Sequence, residues 1–210
     1  MYKRQVDSYG TGVDVNWYSF PQGQARSRVY LAHLDVHRYA GPEGTERFLE
    51  DLRQCASPDV KALADGRAVS PIATHPSVDT WTDAPYAPGT VLIGDAGGYN
   101  DPIIGQGLSL TMADIRDVSR VILDGGRGPT DFAAYGVARA DRHTKQRRAA
   151  QTMAELFCSF APADAERRLR ALPLLESDAM ALAATVFAGP EALPPGPALV
   201  EAAGSAMLAA

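Results

Sequence analysis

Asp95 is the carboxylate best placed in this sequence to do chemistry, because of what surrounds it between Val91 and Asp114 (VLIGDAGGYNDPIIGQGLSLTMAD). Thr90-Val91-Leu92-Ile93 is a short apolar run rich in β-branched residues and reads as a buried strand, which Gly94-Asp95 ends. Gly97, Gly98, Asn100 and Pro102 make the next stretch a loop, since they are too many breakers for a helix. Gly105-Gln106-Gly107 then leads into Leu108, Leu110, Met112, Ile115, Val118, Val121 and Ile122, the spacing of a largely buried helix. Strand, acidic turn, glycine-rich loop and helix together place one carboxylate and the unpaired N–H groups of a helix start at the same end of a sheet. Those N–H groups carry partial positive charge. Glycines let a ligand come close to the backbone, and the carboxylate accepts hydrogen bonds from hydroxyls. A polyol attached to an electron-rich or anionic ring suits both features. The other reading is an ordinary strand–loop–helix corner in which Asp95 is only a cap.

The same stretch resembles the second flavin-binding motif of the single-component FAD-dependent monooxygenases, the para-hydroxybenzoate hydroxylase type, whose pattern is roughly GDAAHxxxPxxGQGxNxGxxDA. Gly94, Asp95, Ala96, Pro102, Gly105, Gln106, Gly107 and Asp114 match it in register. Gly98 stands where histidine is usual, Ser109 where asparagine is usual, and Met112 where a small residue is common. The resemblance implies an FAD cofactor reduced by NAD(P)H, and a flavin hydroperoxide that hydroxylates a small organic substrate with O2. It also implies a cofactor site made of Gly94, Asp95, Pro102, Gly105, Gln106, Gly107 and Leu108. Asp95 would bind the ribityl hydroxyls, the backbone N–H groups from Gly105 to Leu108 would face the pyrimidine edge, and Pro102 would line the cavity before the ring. No catalytic residue is assigned by it.

The elements that must position this motif follow from the rest of the chain. The expected class is α/β in an α+β arrangement, with an antiparallel hairpin, the central strand–loop–helix motif, and long C-terminal helices. Residues 1–89 form the hairpin strands and connecting helices, 90–128 the motif, and 129–210 a helical region. From about Val13 to Val36 the pattern alternates around a turn at Pro21-Gln22-Gly23-Gln24. In the family such strands belong to the substrate domain, so Tyr18, Phe20, Arg28, Tyr30 and His33 would face a substrate cavity; otherwise the aromatics pack on a helix and the arginines are solvated. Helices are expected over Glu43–Arg53 and over Asp59–Leu63, the latter capped by Ser57. A strand interrupted by Pro71 is expected over Val69–Thr74, and Trp81 reads as a core plug or a cavity wall. Thr130 caps one long helix over Asp131–Phe160, whose basic run Arg139, Arg142, His143, Lys145, Arg147, Arg148 reads as a solvated face. Tyr135, Arg139 and Arg142 also resemble the family's C-terminal helix beside the motif. The tail from Pro162 reads as helix interrupted by Pro173, Gly189-Pro190 and the 194–197 prolines.

Composition narrows the function. A net charge of −5 argues against a nucleic-acid partner. Cys55 and Cys158 are no disulfide framework and fit a reducing cytoplasm. No apolar run is long enough to span a membrane, and His33, His37, His75 and His143 form no metal pattern. The family opens with a strand, a GxGxxG turn and a helix that hold the FAD pyrophosphate. Tyr9-Gly10-Thr11-Gly12-Val13 follows no apolar strand and is not that turn. The resemblance therefore covers about Val13 to Phe160. It implies the C-terminal portion of a split or truncated monooxygenase, working with a separate N-terminal FAD-binding half or as a homo-oligomer. The alternative is a non-catalytic binding or assembly module derived from that fold.

Overall fold

The computed structural model describes residues 8–175 together with Gly189, Glu191, Ser205 and Ala209. Among these the chain is mixed α/β, with five α-helices and two small antiparallel sheets. It divides into two compact units, Met1–Pro76 with Phe157–Ala165, and Ser77–Leu156 with Glu166–Ala210.

In the first unit β1 (Ser8–Thr11), β2 (Asn16–Gly23) and β3 (Arg26–Ala32) form an antiparallel sheet in that order. The glycine pair of Tyr9-Gly10-Thr11-Gly12 thus begins in a strand, and a side chain at Gly10 would collide with the Trp17 ring at 2.8 Å. The hairpin turns at Gln24-Ala25, later than its sequence suggests, both residues having positive φ (50° and 56°) as two-residue hairpin turns demand. Pro21 lies in β2 beside the bulge of the β2–β3 ladder between Pro21 and Gly23. One face of the sheet carries Trp17, Val29 and Leu31 onto α1 (Gly44–Gln54) and α2 (Pro58–Ala64), where Leu52, Cys55, Val60 and Ala64 complete the core. Strand alternation puts Tyr9, Tyr18, Phe20 and Tyr30 on the other face, where their rings form a ladder with centroids 5.9–6.4 Å apart. Tyr9 and Tyr30 are exposed on this face, and Arg26 and Arg28 are exposed as well, so the arginines are solvated. His33 instead meets Tyr39 edge-on at 4.9 Å.

Ser57 occupies the N-cap of α2, but its hydroxyl makes no capping bond. The expected strand over Val69–Thr74 is absent: the segment has no ladder partner, Pro71 removes a donor, and Val69 is exposed. Arg38 bridges Asp14 and Asp51 with paired contacts of 2.6–2.9 Å, and Tyr39 donates its hydroxyl to Asp51 at 2.7 Å. Burial first, then that bond, pushes the Tyr39 phenol well above its usual range.

The second unit holds the motif. β4 (Tyr86–Ala87) pairs with β5 (Thr90–Val91) about Pro88-Gly89. The expected central strand at 90–94 shortens to these two residues, because only Tyr86–Ala87 supplies a ladder. Leu92 is held instead by its N–H to the Pro85 carbonyl (2.7 Å) and by the Tyr135 hydroxyl donating to its own carbonyl (2.6 Å). Gly94–Gly97 and Pro102–Ile104 are single 3-10 turns. α3 (Gly107–Leu123) follows, then a 3-10 turn over Pro129–Phe132, α4 (Ala133–Phe157) and α5 (Pro162–Leu175). The start before α4 is capped by Asp131, whose carboxylate accepts the Arg127 and Gly128 N–H groups at 2.8 and 2.9 Å, and not by Thr130. α5 continues through Pro173, which therefore does not end it; the expectations for 190 and 194–197 lie outside the described residues. No described helix is long and apolar enough to cross a membrane.

Candidate functional site

The Gly94–Gly97 turn is built against α3 and α4. Gly94 takes φ 53°, and a Cβ there would lie 2.8 Å from Thr111 Oγ1, so the position needs glycine on both counts. Its N–H donates to Asp114 Oδ2 at 3.0 Å. Asp114 is 0% exposed and accepts two more bonds, from Arg139 Nε to Oδ2 at 3.0 Å and from Arg142 Nη2 to Oδ1 at 3.1 Å. Arg139, 1% exposed, extends Nη1 to the Gly97 carbonyl (2.9 Å) and Nη2 to the Gly94 carbonyl (3.0 Å). Arg142 also holds Asp117 at 2.8 Å. Two buried guanidinium groups and two carboxylates thus lie between α3 and α4, with their hydrogen bonds reaching into the turn; such groups stay buried only when paired and hydrogen-bonded.

This overturns the reading of the basic run as a solvated face. Arg139, Arg142, His143 and Lys145 are all buried; they share α4 with buried Tyr135, Ala149 and Ala150. Asp114 lies beside Leu110 and Ala113 on α3, also both buried, and its pairing with this run across the two helices is what spacing along the chain does not show. Trp81 is half-buried. It lies under the guanidinium groups of Arg147 (4.4 Å) and Arg139 (5.2 Å) and 5.1 Å from the His143 ring. Burial, reinforced by Arg139, Arg142 and Arg147 and opposed by Asp114, depresses His143 to about 4. Gly98 has φ 144°, and a Cβ there would meet the Thr80 carbonyl at 3.0 Å and the Trp81 ring at 3.1 Å.

The cofactor residues expected from sequence fall into two groups. Asp95 is exposed, and Pro102, Gly105, Gly107 and Leu108 are exposed with it; Gly94 and Gln106 are buried. The first bond inside α3 is donated by Leu110 to the Gln106 carbonyl (3.0 Å), so the N–H groups of Gly107, Leu108 and Ser109 have no acceptor within the helix. The Gln106 side chain makes no capping bond to them. A Cβ built at Gly105 or Gly107 meets nothing within 4 Å among the described residues, which leaves the backbone open to an approaching group on their side. Gly105 takes the left-handed φ of 66°.

α3 itself is not largely buried, as its spacing suggested. Leu110, Ala113 and Asp114 face inward, while Leu108, Met112, Ile115 and Ile122 are exposed, Leu108 to 69%. Their spacing of four, three and seven residues sets them along one side of the helix. No family model matches this sequence, and no curated protein does.

Proposed function

We propose that this chain is the flavin-contacting, C-terminal portion of an FAD-dependent monooxygenase that uses NAD(P)H and O2 on a small organic substrate. The observation that carries the reading is the pairing of an outward carboxylate with an uncapped helix. Asp95 is exposed on a turn held against α3, and the N-terminus of α3 presents three N–H groups beside glycines whose Cβ positions no described residue occupies. These residues fit the ribityl and ring end of a flavin. Asp95 would take the ribityl hydroxyls, and Gly105 to Leu108 would meet the electron-rich edge of the ring. The helix-end field is worth roughly 0.3–2 kcal/mol, enough to tune a bound ring and too little to hold it. The 210 residues contain no GxGxxG turn, so the ADP end would be held elsewhere, in a separate half or a longer chain. When bound, reduced flavin supplies the oxygen chemistry; the residues here orient it and place a positive field at its pyrimidine side.

The exposed line Leu108, Met112, Ile115 and Ile122 supports a second reading, a non-catalytic assembly module. Flavin fluorescence titration of wild type and Asp95→Ala, each with and without a separately expressed FAD-binding half, separates the two. Loss of a charge-assisted hydrogen bond is worth about 1.5–3 kcal/mol, so Asp95→Ala should weaken binding by more than tenfold. Equal affinity reduces Asp95 to a turn residue. Absence of binding under every condition favours the assembly module.

A further inference from the structure

Arg139 is bonded to both ends of the acidic turn. One planar fork donates to the Gly94 carbonyl at 3.0 Å and the Gly97 carbonyl at 2.9 Å, while its Nε is fixed by Asp114 Oδ2 at 3.0 Å. That same carboxylate oxygen receives the Gly94 N–H. Both peptide ends of the turn are therefore tied to one buried ion pair, and Asp95 and Ala96, between them, are left exposed. The space for the fork is made by Gly97, where a Cβ would lie 2.9 Å from Arg139 Nη2. Trp81 covers the guanidinium from one side at 5.2 Å. We infer that Arg139, oriented by Asp114, is a positioning residue: it fixes the peptide planes from Gly94 to Gly97 and so aims the Asp95 carboxylate at a hydroxyl-bearing ligand. Only the identity of that ligand rests on the flavin reading. A lysine keeps the charge but lacks the rigid fork that reaches two carbonyls and a carboxylate together.

The test has two arms on the full chain. In the first, amide hydrogen exchange is compared for wild type, Arg139→Lys and Gly97→Ala. The clamp requires at least tenfold faster exchange at Gly94 and Gly98 in both variants, with the amides of Leu110 to Val118 in α3 unchanged. Gly97→Ala keeps the test open should Arg139→Lys fail to fold, since it only crowds the guanidinium. In the second arm, FAD is titrated into a double-mutant cycle of Arg139→Lys and Asp95→Asn, with the FAD-binding half added. If Arg139 acts through Asp95, Arg139→Lys weakens FAD at least tenfold when Asp95 is present and less than twofold in Asp95→Asn; a merely structural role makes the two effects add. Unchanged exchange at Gly94 and Gly98 in the folded variants overturns the inference, as does additivity in the cycle. A wild-type chain that binds no FAD removes the flavin reading alone, and the exchange arm then decides the clamp by itself.

Discussion

Replacing Asp114 by alanine should be the most damaging single change in the second unit. The substitution removes three accepted bonds at once, from Gly94 N–H (3.0 Å), Arg139 Nε (3.0 Å) and Arg142 Nη2 (3.1 Å). Arg142 keeps Asp117 at 2.8 Å, but Arg139 keeps two carbonyls and has no other carboxylate among the described residues. A buried charge left without its partner costs about 3–5 kcal/mol, and Arg139 is almost wholly inaccessible to water. For a chain of this size about 1 kcal/mol moves Tm by 2–4 °C, so the loss should be roughly 6–20 °C. Thermal unfolding followed by far-UV circular dichroism measures it, and urea unfolding gives the free energy. Asp95→Ala is the internal control: an exposed carboxylate should cost no more than about 0.5 kcal/mol. Joint replacement of Asp114 by Leu and Arg139 by Met removes both charges and should recover part of the loss. An Asp114→Ala chain within about 1 kcal/mol of wild type would refute the reasoning, because the ion pair would then not be sealed from solvent.

Other consequences are open to direct measurement. His143 is depressed to about 4 in the folded chain against an ordinary 6.5, so the unfolded chain binds the extra proton between those values. Its contribution is complete above pH 6.5 and falls as pH drops toward 4, by about 3 kcal/mol in all at 1.36 kcal/mol per unit; His143→Gln should flatten that part of the urea-midpoint profile. Gly105→Ala meets only the left-handed φ, for about 1–2 kcal/mol, whereas Gly94→Ala also strikes Thr111 and should lower Tm further. The exposed line on α3 should make the chain associate with rising concentration in sedimentation velocity, and Met112→Gln with Ile122→Gln should suppress it; a monomer at every concentration for wild type would count against that role.

Local pattern determined a good deal. Alternation around residues 16–32 marked the hairpin, although Gln24-Ala25 carries the turn, and the 3.6-residue spacing marked α1, α3 and α4 to within a few residues. In each case the determinant is local: side-chain period, breakers and helix starts act over one or two turns of chain. The order of Gly94, Asp95, Gly105, Gln106 and Gly107 likewise marked a loop with an open backbone, because glycine states its conformational freedom in the sequence itself. What tertiary structure decided is where the charged and apolar faces go. A run of Arg139, Arg142, His143 and Lys145 reads as solvated until Asp114, twenty-five positions before Arg139, meets it across two helices. Only that long-range pairing makes burial of the charges affordable, and no period along the chain encodes it. The exposure of Leu108, Met112, Ile115 and Ile122 was equally invisible, since amphipathic spacing says that a face is apolar and not what covers it. The two-residue length of β5 has the same origin: Leu92 and Ile93 have strand character, but a strand extends only as far as its partner does, and Tyr86–Ala87 ends the ladder at Val91.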